Sequence, residues 1–225
     1  MLKASSIYVC IVNSVKTTCF EFQATSCSQF VSHLQVYSIF TFSRTMEQHQ
    51  VVPDVVDVAP SALVQVKYGE AEVNSGNELT PTQVVSLPTH LSWPREEGAL
   101  YTLCMTDPDA PSRKDPKFRE FLHWLVVNVP SCDPASGDTI AHFVGSGPPR
   151  DTGLHRYVYL VYRQPGPLTC DEPNMPNNSA EHRRSFSIRN FANKYHLQLV
   201  AGNLYQAQYD ATCDLVHQQL GVQRR

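Results

Sequence analysis

Several features that mark common functional classes are absent from this 225-residue chain. It has no CxxC pair and no histidines at zinc-finger spacing, so the sequence predicts no structural metal. It has no apolar run of about 18 residues, and therefore no transmembrane helix is expected. Its formal net charge of -3 argues against a nucleic-acid partner. The seven cysteines are odd in number and scattered, which favours reduced thiols in a cytoplasmic protein.

Residues 1–45 also lack proline and glycine. Three interpretations of this segment compete: a secretory signal with a thin basic start at Lys3, a mitochondrial presequence supported only by Arg44, and an extension upstream of a working start at Met46. We favour the third, because proline, glycine and acidic residues become regular after Met46. We therefore divide the chain into two parts. Residues 1–45 are an extension that is disordered, a targeting segment or a wrongly assigned start of the protein, and residues 46–225 are a domain. A cytoplasmic location is expected unless the extension directs the chain elsewhere.

The domain is rich in short β-like runs separated by turn residues. In residues 62–68 apolar side chains alternate with polar ones, and in residues 101–106 large side chains alternate with small ones. Residues 121–129 and 157–162 are apolar on both faces, as in strands inside a two-layer β-structure.

Only the C-terminal part of the chain looks helical. Ile188, Phe191 and Tyr195 follow a helical spacing, and residues 215–220 form a second short candidate. The sequence therefore predicts a mainly β fold, an antiparallel Greek-key β-sandwich with short C-terminal helices.

The first candidate for chemistry is Asp107-Pro-Asp109-Ala-Pro111, which follows the run 101–106 directly. The prolines fix the backbone around the carboxylates, so little entropy remains to be lost on binding. A carboxylate held there could accept hydrogen bonds from an ammonium group or orient an imidazole. The same residues also make an ordinary turn, and spacing alone favours the turn.

A second candidate is His123, in the run 121–129. Alternation places it on one face with Phe121, Leu125 and Val127. A lone histidine on an apolar face is more often a core residue than a ligand. The balance shifts towards a functional role for His123 only if Asp107 reaches it.

The third candidate is the loop Gly145-Ser-Gly147-Pro148-Pro149. Its glycines allow φ > 0 and a close backbone approach, so successive amides could form a nest for an anion. An ordinary loop between strands is equally compatible with this composition.

Beyond that loop, His155 and Tyr157 share one face of a strand and Arg156 points to the other. Both side chains could donate to a phosphate oxygen, although a core tyrosine beside a solvated histidine is the simpler interpretation. The basic clusters Arg113–Arg119 and His182–Lys194 are expected to be mostly solvated. The first would attract anionic head groups if it lies at the rim of an Asp107 pocket.

Residues 101–129 and 145–162 closely resemble the phosphatidylethanolamine-binding protein family, also called the Raf kinase inhibitor protein family. Three shorter stretches, residues 79–84, 170–173 and 205–207, also match this family in the same register. The resemblance implies two antiparallel sheets, short C-terminal helices and a small pocket for phosphate-bearing groups such as phosphoethanolamine. It also implies cis peptides at Ala110–Pro111 and Arg119–Glu120.

The resemblance implies which residues line this pocket, with Asp107 and His123 as its acidic and imidazole wall. The full set is Asp107, Pro111, Phe121, His123, Gly145, Gly147, Pro148, Pro149, His155, Tyr157 and His217. Phe121 stands where mammalian members often have tryptophan, and His217 stands where they have tyrosine. An imidazole titrates near pH ~6.5, so His217 could make ligand affinity pH-dependent. Asn190 aligns with a serine whose phosphorylation switches kinase partners, so that switch is expected to be absent.

These arguments predict a monomeric binding protein with no cofactor and no catalytic residue. Its expected ligand is a phospholipid head group of the phosphatidylethanolamine type, and its expected protein partners are Raf-class kinases. The alternatives are a serine-protease inhibitor acting through a surface loop and, less favoured, an Asp–His hydrolase. No serine or cysteine with a base partner is evident in the sequence, which disfavours the hydrolase.

Overall fold

The structure is a computed structural model that describes the backbone of residues 5–13 and 16–24, and residues 44–222 with their side chains. The chain divides into two units, residues 1–41 and 42–225. In the first unit, β1 (Ser5–Asn13) and β2 (Lys16–Ala24) pair as an antiparallel hairpin. The role expected for the extension and the boundary at Met46 stay predictions.

The second unit is mainly β with a few short helices. Its strands are β3 (Ala62–Leu63), β4 (Gln65–Tyr68), β5 (Ala71–Glu72), β6 (His90–Ser92), β7 (Leu100–Asp107), β8 (Phe121–Pro130), β9 (Asp138–Ala141), β10 (His155–Arg163) and β11 (Gln198–Ala207). Its helices are α1 (Val51–Asp54), α2 (Ile188–Lys194) and α3 (Thr212–Gln219), and Pro134–Ser136 forms a 3₁₀ turn. Within the described residues, no helix has the length and apolar character needed to cross a membrane.

A six-stranded sheet in the order β3-β11-β10-β7-β8-β9 forms the centre of this unit. On one face, Leu160 belongs to an apolar cluster that includes Ile188 of α2. On the other face, Tyr159 belongs to a second cluster that includes Val66 of the three-stranded sheet β5-β4-β6. The central strands are therefore apolar on both sides, as the sequence predicts for residues 121–129 and 157–162.

The prediction of a mainly β fold is confirmed, but the large sheet is mixed rather than antiparallel. β3 pairs parallel to β11, with Ala62 opposite Ala201 and Leu63 opposite Gly202. A Cβ at position 202 would lie 2.9 Å from Pro60 Cγ, so the absence of a side chain admits the segment that leads into β3. The Greek-key order stays a prediction.

The run 62–68 is divided between the two sheets. Its N-terminal part is β3 of the large sheet, and Val64 donates its backbone N–H to the Gly202 carbonyl at 3.0 Å. After Val64 the chain continues as β4 of the small sheet. The predicted alternation holds, because Val64, Val66 and Tyr68 are buried whereas Gln65 and Lys67 are exposed.

The C-terminal part of the domain contains a strand that the sequence analysis missed. β11 lies between α2 and α3 and is an interior strand of the large sheet, paired with β10 and β3. The part of the chain predicted to be helical therefore also contains a buried strand. Gly202, in the interior of β11, weakens the strand pattern in the sequence.

A β-bulge at His123 changes which face this residue occupies. Met105 pairs with Trp124 while the next residue, Thr106, pairs with Leu122, so His123 is the extra residue on β8. The predicted grouping of His123 with Leu125 is wrong, because Leu125 packs with Leu122 in the helix-side cluster. His123 instead contacts rings on the opposite side of the sheet.

Arg156 joins the start of β10 to the turn after β7 and to the segment around α1. Its guanidinium is fully buried and donates to Asp109 Oδ1 at 2.6 Å and Oδ2 at 2.9 Å. It also donates to the carbonyls of His49 and Gln50 and to the Asp54 carboxylate. Desolvation by burial acts to lower the pKa of Arg156, but its bonds with Asp109 and Asp54 outweigh it and raise the pKa.

Replacing Arg156 by Met should lower the free energy of unfolding by about 3–5 kcal/mol, because Asp109 would keep a buried charge without its main partner. Urea denaturation of the folded chain measures this loss. Arg163→Met, in the same strand, is the matched control, since Arg163 pairs with a mostly exposed Glu96. That change should cost less than about 1 kcal/mol, and equal losses in both variants would contradict the assignment.

Candidate functional site

Asp107, the last residue of β7, holds a buried carboxylate between two donors. Its Oδ1 accepts the backbone N–H of Asp109 at 2.7 Å, which closes the predicted turn. Its Oδ2 lies 2.8 Å from Nδ1 of His155, at the start of β10. The two functions considered for this carboxylate, making a turn and orienting an imidazole, are therefore combined in one side chain. The imidazole is that of His155.

His155 connects Asp107 to the end of the glycine loop. Its Nε2 lies 2.9 Å from Thr152 Oγ1, and the Thr152 hydroxyl also lies 2.8 Å from the Pro149 carbonyl, to which it can donate. The imidazole is 1% exposed. Both ring nitrogens thus have protein partners, and the ring is fixed in position and orientation.

His123 lies in a row of aromatic rings. Its ring centroid is 5.0 Å from that of Phe121 and 5.2 Å from that of Tyr157, which in turn stacks on Tyr205 at 5.1 Å. Burial lowers the pKa of His123 to about 4, although the nearby Asp107 carboxylate acts to raise it. The neutral ring donates from Nδ1 to the Val144 carbonyl at 2.9 Å, which leaves Nε2 as a hydrogen-bond acceptor.

The glycine loop is ordered by close backbone contacts and not by left-handed residues. Neither Gly145 nor Gly147 has a positive φ, so the conformation expected for an amide nest is not formed. A Cβ on Gly145 would lie 2.8 Å from the Val85 carbonyl, and one on Gly147 would lie 3.1 Å from Val216 Cγ1. Glycine is needed here for close approach alone.

A chain of buried hydroxyl-bearing side chains, which the sequence analysis missed, anchors this loop from within. Ser146, between the two glycines, lies 2.6 Å through its hydroxyl from the phenol oxygen of Tyr205. The ring of Tyr205 in turn packs edge to face against Tyr68, with centroids 6.4 Å apart, and Tyr68 hydrogen-bonds Tyr159. The loop is thereby tied to β4 of the small sheet. The sequence indicates this role of Tyr68 only through the predicted alternation of residues 62–68, which places Tyr68 on the core face.

A cavity of about 990 Å³ lies next to these groups. Three of the predicted pocket residues, Pro111, Pro149 and His217, line it, whereas Asp107, His123, His155 and Tyr157 do not. His217 Nε2 donates to the Gly147 carbonyl at 2.8 Å, so α3 closes on the glycine loop. Phe121 packs against an apolar cluster that includes Leu220, which lines the same cavity. Pro148 is buried within the loop.

Three cations also line this cavity: Lys117, Arg150 and Arg184. Arg184 and Lys117 both lie over the ring of Phe118, at 4.9 and 5.5 Å from its centroid. Arg150 lies 4.1 Å from the centroid of Tyr209. Aromatic contacts of this kind hold the cations in place. Two carboxylates, those of Glu181 and Asp214, line the same cavity, and Asp214 lies 3.3 Å from Arg150.

The basic clusters of the sequence therefore separate into different roles. Lys117 lines the cavity, whereas Arg119 donates to the Pro108 carbonyl and lies 3.4 Å from Asp54. The expectation that the second cluster is mostly solvated is wrong for Arg183, which is fully buried. It donates to backbone carbonyls only, those of Ser179, Leu122, His123, His142, Met175 and Pro176. Burial lowers its pKa to about 10.

The backbone near the site has the two cis peptides that the resemblance implies. Ala110–Pro111 and Arg119–Glu120 are both cis, and Val52–Pro53 is a further cis peptide. Across the described residues, no group of three or more potential ligands is arranged to hold a metal ion. The cysteines at 104, 132, 170 and 213 are free thiols.

The fold and site define a mainly β protein with a preformed Asp–His pair, a neutral histidine and a cation-lined cavity. The family model described as "Phosphatidylethanolamine-binding protein" matches residues 57–209, which is more than half of the chain. The chain therefore belongs to the phosphatidylethanolamine-binding protein family.

Individual relatives agree with this assignment. The chain is 38% identical over 169 residues to "Putative odorant-binding protein A5" of Drosophila melanogaster, covering 74% of this chain and 80% of that protein. A carboxypeptidase Y inhibitor, solved in complex with its cognate proteinase, is similar with a TM-score of 0.66 and 26% identity, over 76% of this chain and 97% of that chain. The phosphatidylethanolamine-binding protein from Plasmodium vivax has a TM-score of 0.62 and 26% identity, over 74% of this chain and 97% of that chain.

The depressed pKa of His123 predicts a loss of stability in acid. The pKa falls from an ordinary 6.5 to about 4 on folding, so the associated stability is complete above pH 6.5 and is lost as the pH falls towards 4. A His123→Gln variant keeps a polar side chain without this titration. Its free energy of unfolding, measured in urea across this range, should fall less steeply than that of the parent.

Glu120 also makes stability depend on pH, but in the opposite direction to His123. Comparing the pH profiles of the parent and the variant cancels the contribution of Glu120, which both proteins share. Burial raises the pKa of Glu120 to about 7, so its contribution is lost as the pH rises through 7. Parallel profiles for the parent and His123→Gln would show that His123 does not titrate as its burial requires.

Proposed function

We propose that this chain binds small phosphate-bearing groups of the phosphoethanolamine type without transforming them. The observation that carries the proposal is the juxtaposition of two kinds of group. The Asp107–His155 pair and neutral His123 are buried and do not line the cavity that holds the cations. Thr152 and Pro149 join His155 to this cavity, and the ring of Phe121 joins His123 to it. An ammonium group needs acceptors and a phosphate needs cations, so a zwitterionic head group matches both.

The roles of individual residues follow from their free hydrogen-bonding capacity. His123 Nε2 accepts a hydrogen bond, and the Asp107 carboxylate supplies the negative charge that attracts an ammonium group. Arg150 and Arg184 lie where they can attract the phosphate from the cavity wall. Gly145 and Gly147 lack the positive φ of an amide nest, so the cations take the role expected of one.

The proposal of binding without catalysis rests on the state of the Asp–His pair. A general base needs a ring nitrogen within hydrogen-bond reach of the proton that it removes. In His155 one nitrogen faces Asp107 and the other faces Thr152, and the ring is almost completely buried. The pair is suited to holding the site in shape. An Asp–His hydrolase is correspondingly disfavoured.

The proposal includes regulation through protein partners. On the family resemblance, Raf-class kinases in the cytoplasm would dock around the cavity, and its occupancy would bias the choice of partner. The proposal of kinase docking rests on the similarity to the family alone.

Calorimetric titration with phosphoethanolamine tests the binding proposal. Asp107→Asn should weaken binding about tenfold or more, because it removes the negative charge facing the ammonium group. Arg184→Ala should weaken binding about threefold to tenfold, with a larger effect at low salt. Lys67→Ala, an exposed cation of β4 paired with Glu72, is the control and should bind as the parent does.

Two results would reject this proposal. One is a folded parent that does not bind phosphoethanolamine, and the other is equal affinity in the parent, Asp107→Asn and Arg184→Ala.

A second candidate function is protease inhibition, favoured by the structural similarity to the carboxypeptidase Y inhibitor. Inhibition through a surface loop would not require the anion site. Carboxypeptidase Y activity assayed with increasing parent chain should then fall, and Asp107→Asn should inhibit equally well. An absence of inhibition at concentrations of about 10 μM would remove this candidate, since specific inhibitor complexes are much tighter.

A further inference from the structure

A second cavity, of about 640 Å³, lies beside the small sheet and shares only Gly145 with the predicted pocket residues. Residues 85–91 and β8 contribute to its lining, together with residues from the 3₁₀ turn at 134–136. Its volume falls in the range of about 300–1,000 Å³ that is usual for small-molecule sites. The cavity is therefore large enough for a compact organic ligand and too small for a folded partner.

The apolar part of the lining combines two rings with aliphatic side chains. Trp124 and Phe143 meet edge to face, with centroids 5.6 Å apart at 86°. Trp124 is buried, whereas Val85 and Leu87 are 40% and 54% exposed. The rings therefore lie towards the protein interior, and the aliphatic side chains lie at the solvent side. Clustered apolar groups exposed at a concave surface are typical of a binding site.

The charge of this lining differs from that of the first cavity. It contains one carboxylate, Asp133, and the imidazoles of His90 and His142, but neither lysine nor arginine. The first cavity, in contrast, is lined by three cations, Lys117, Arg150 and Arg184, together with the carboxylates of Glu181 and Asp214. A phosphate group has no cationic partner of this kind at the second cavity, so the two sites select different ligands. The hydroxyl of Thr139 and the amide of Asn177 provide polar contacts that carry no charge.

We propose that the cavity between Trp124, Phe143 and Leu87 is a binding site for a neutral, largely apolar small molecule with a ring or a branched alkyl body. This site is separate from the anion site and goes beyond the proposed function. Burial of such a ligand against the rings and aliphatic side chains supplies its affinity. The uncharged polar groups of the lining orient a hydroxyl or carbonyl group.

The experiment is a fluorescence titration with N-phenyl-1-naphthylamine, a neutral apolar probe whose emission rises in a water-poor site. It is performed on the full chain and on two variants that alter exposed lining residues. Leu87→Asp places a charge at the mouth of the cavity, and Ala135→Trp fills it. Val58→Asp is the matched control, because Val58 is an aliphatic residue that is 73% exposed and lies outside both cavities.

The expected result is one saturable site in the parent and in Val58→Asp, with the Kd raised about tenfold or more in Leu87→Asp and Ala135→Trp. Phosphoethanolamine should not displace the probe, and both lining variants should bind phosphoethanolamine as the parent does. Three results would overturn the proposal: no saturable probe binding by the folded parent, unchanged affinity in both lining variants, or displacement of the probe by phosphoethanolamine. The first two leave the anion site untested and intact, so failure here is distinct from failure of the proposed function.

Discussion

The junction between the end of β7 and the start of β10 is the constraint on which the site depends. Asp107 and Asp109 leave β7 two residues apart, and His155 and Arg156 are neighbours in β10. Because successive side chains in a strand point to opposite faces, His155 meets Asp107 on one side of the sheet and Arg156 meets Asp109 on the other. A buried Asp–His hydrogen bond and a buried Asp–Arg ion pair thus clamp one proline-stiffened turn from both sides.

This clamp gives the site its electrostatic character. Asp107 remains beside His155 with its carboxylate satisfied, and the same carboxylate acts on His123 without overcoming the burial that keeps this ring neutral. The site therefore joins a fixed anion and an uncharged acceptor at short range. The cations stand apart on the cavity wall, held by Phe118 and Tyr209. On that wall Arg150 lies 3.3 Å from Asp214, so its charge is partly balanced locally.

The sequence predicted most of the architecture, because strands that are buried on both faces have long apolar runs. It failed where a single residue changes the pattern. The bulge at His123 reverses a face that strict alternation assigns, and Gly202 interrupts the pattern of β11. For the glycine loop, the expected close backbone approach is confirmed, but the expected positive φ values are not found at Gly145 and Gly147. Arg183 was assigned to the surface, because its partners are backbone carbonyls and no sequence pattern marks these.

Arg183 has a consequence for how this region moves. The segment from Met175 to Ser179 forms no helix and no extended strand, and its carbonyls converge on one guanidinium that also holds Leu122 of β8. We expect this segment to open as one cooperative unit, a foldon, because loss of the Arg183 contacts would release these carbonyls together. Ser179 and Arg184 both line the first cavity, so transient opening of this foldon would remodel the cavity wall. Amide protons of the loop and access to the cavity would then share one opening equilibrium.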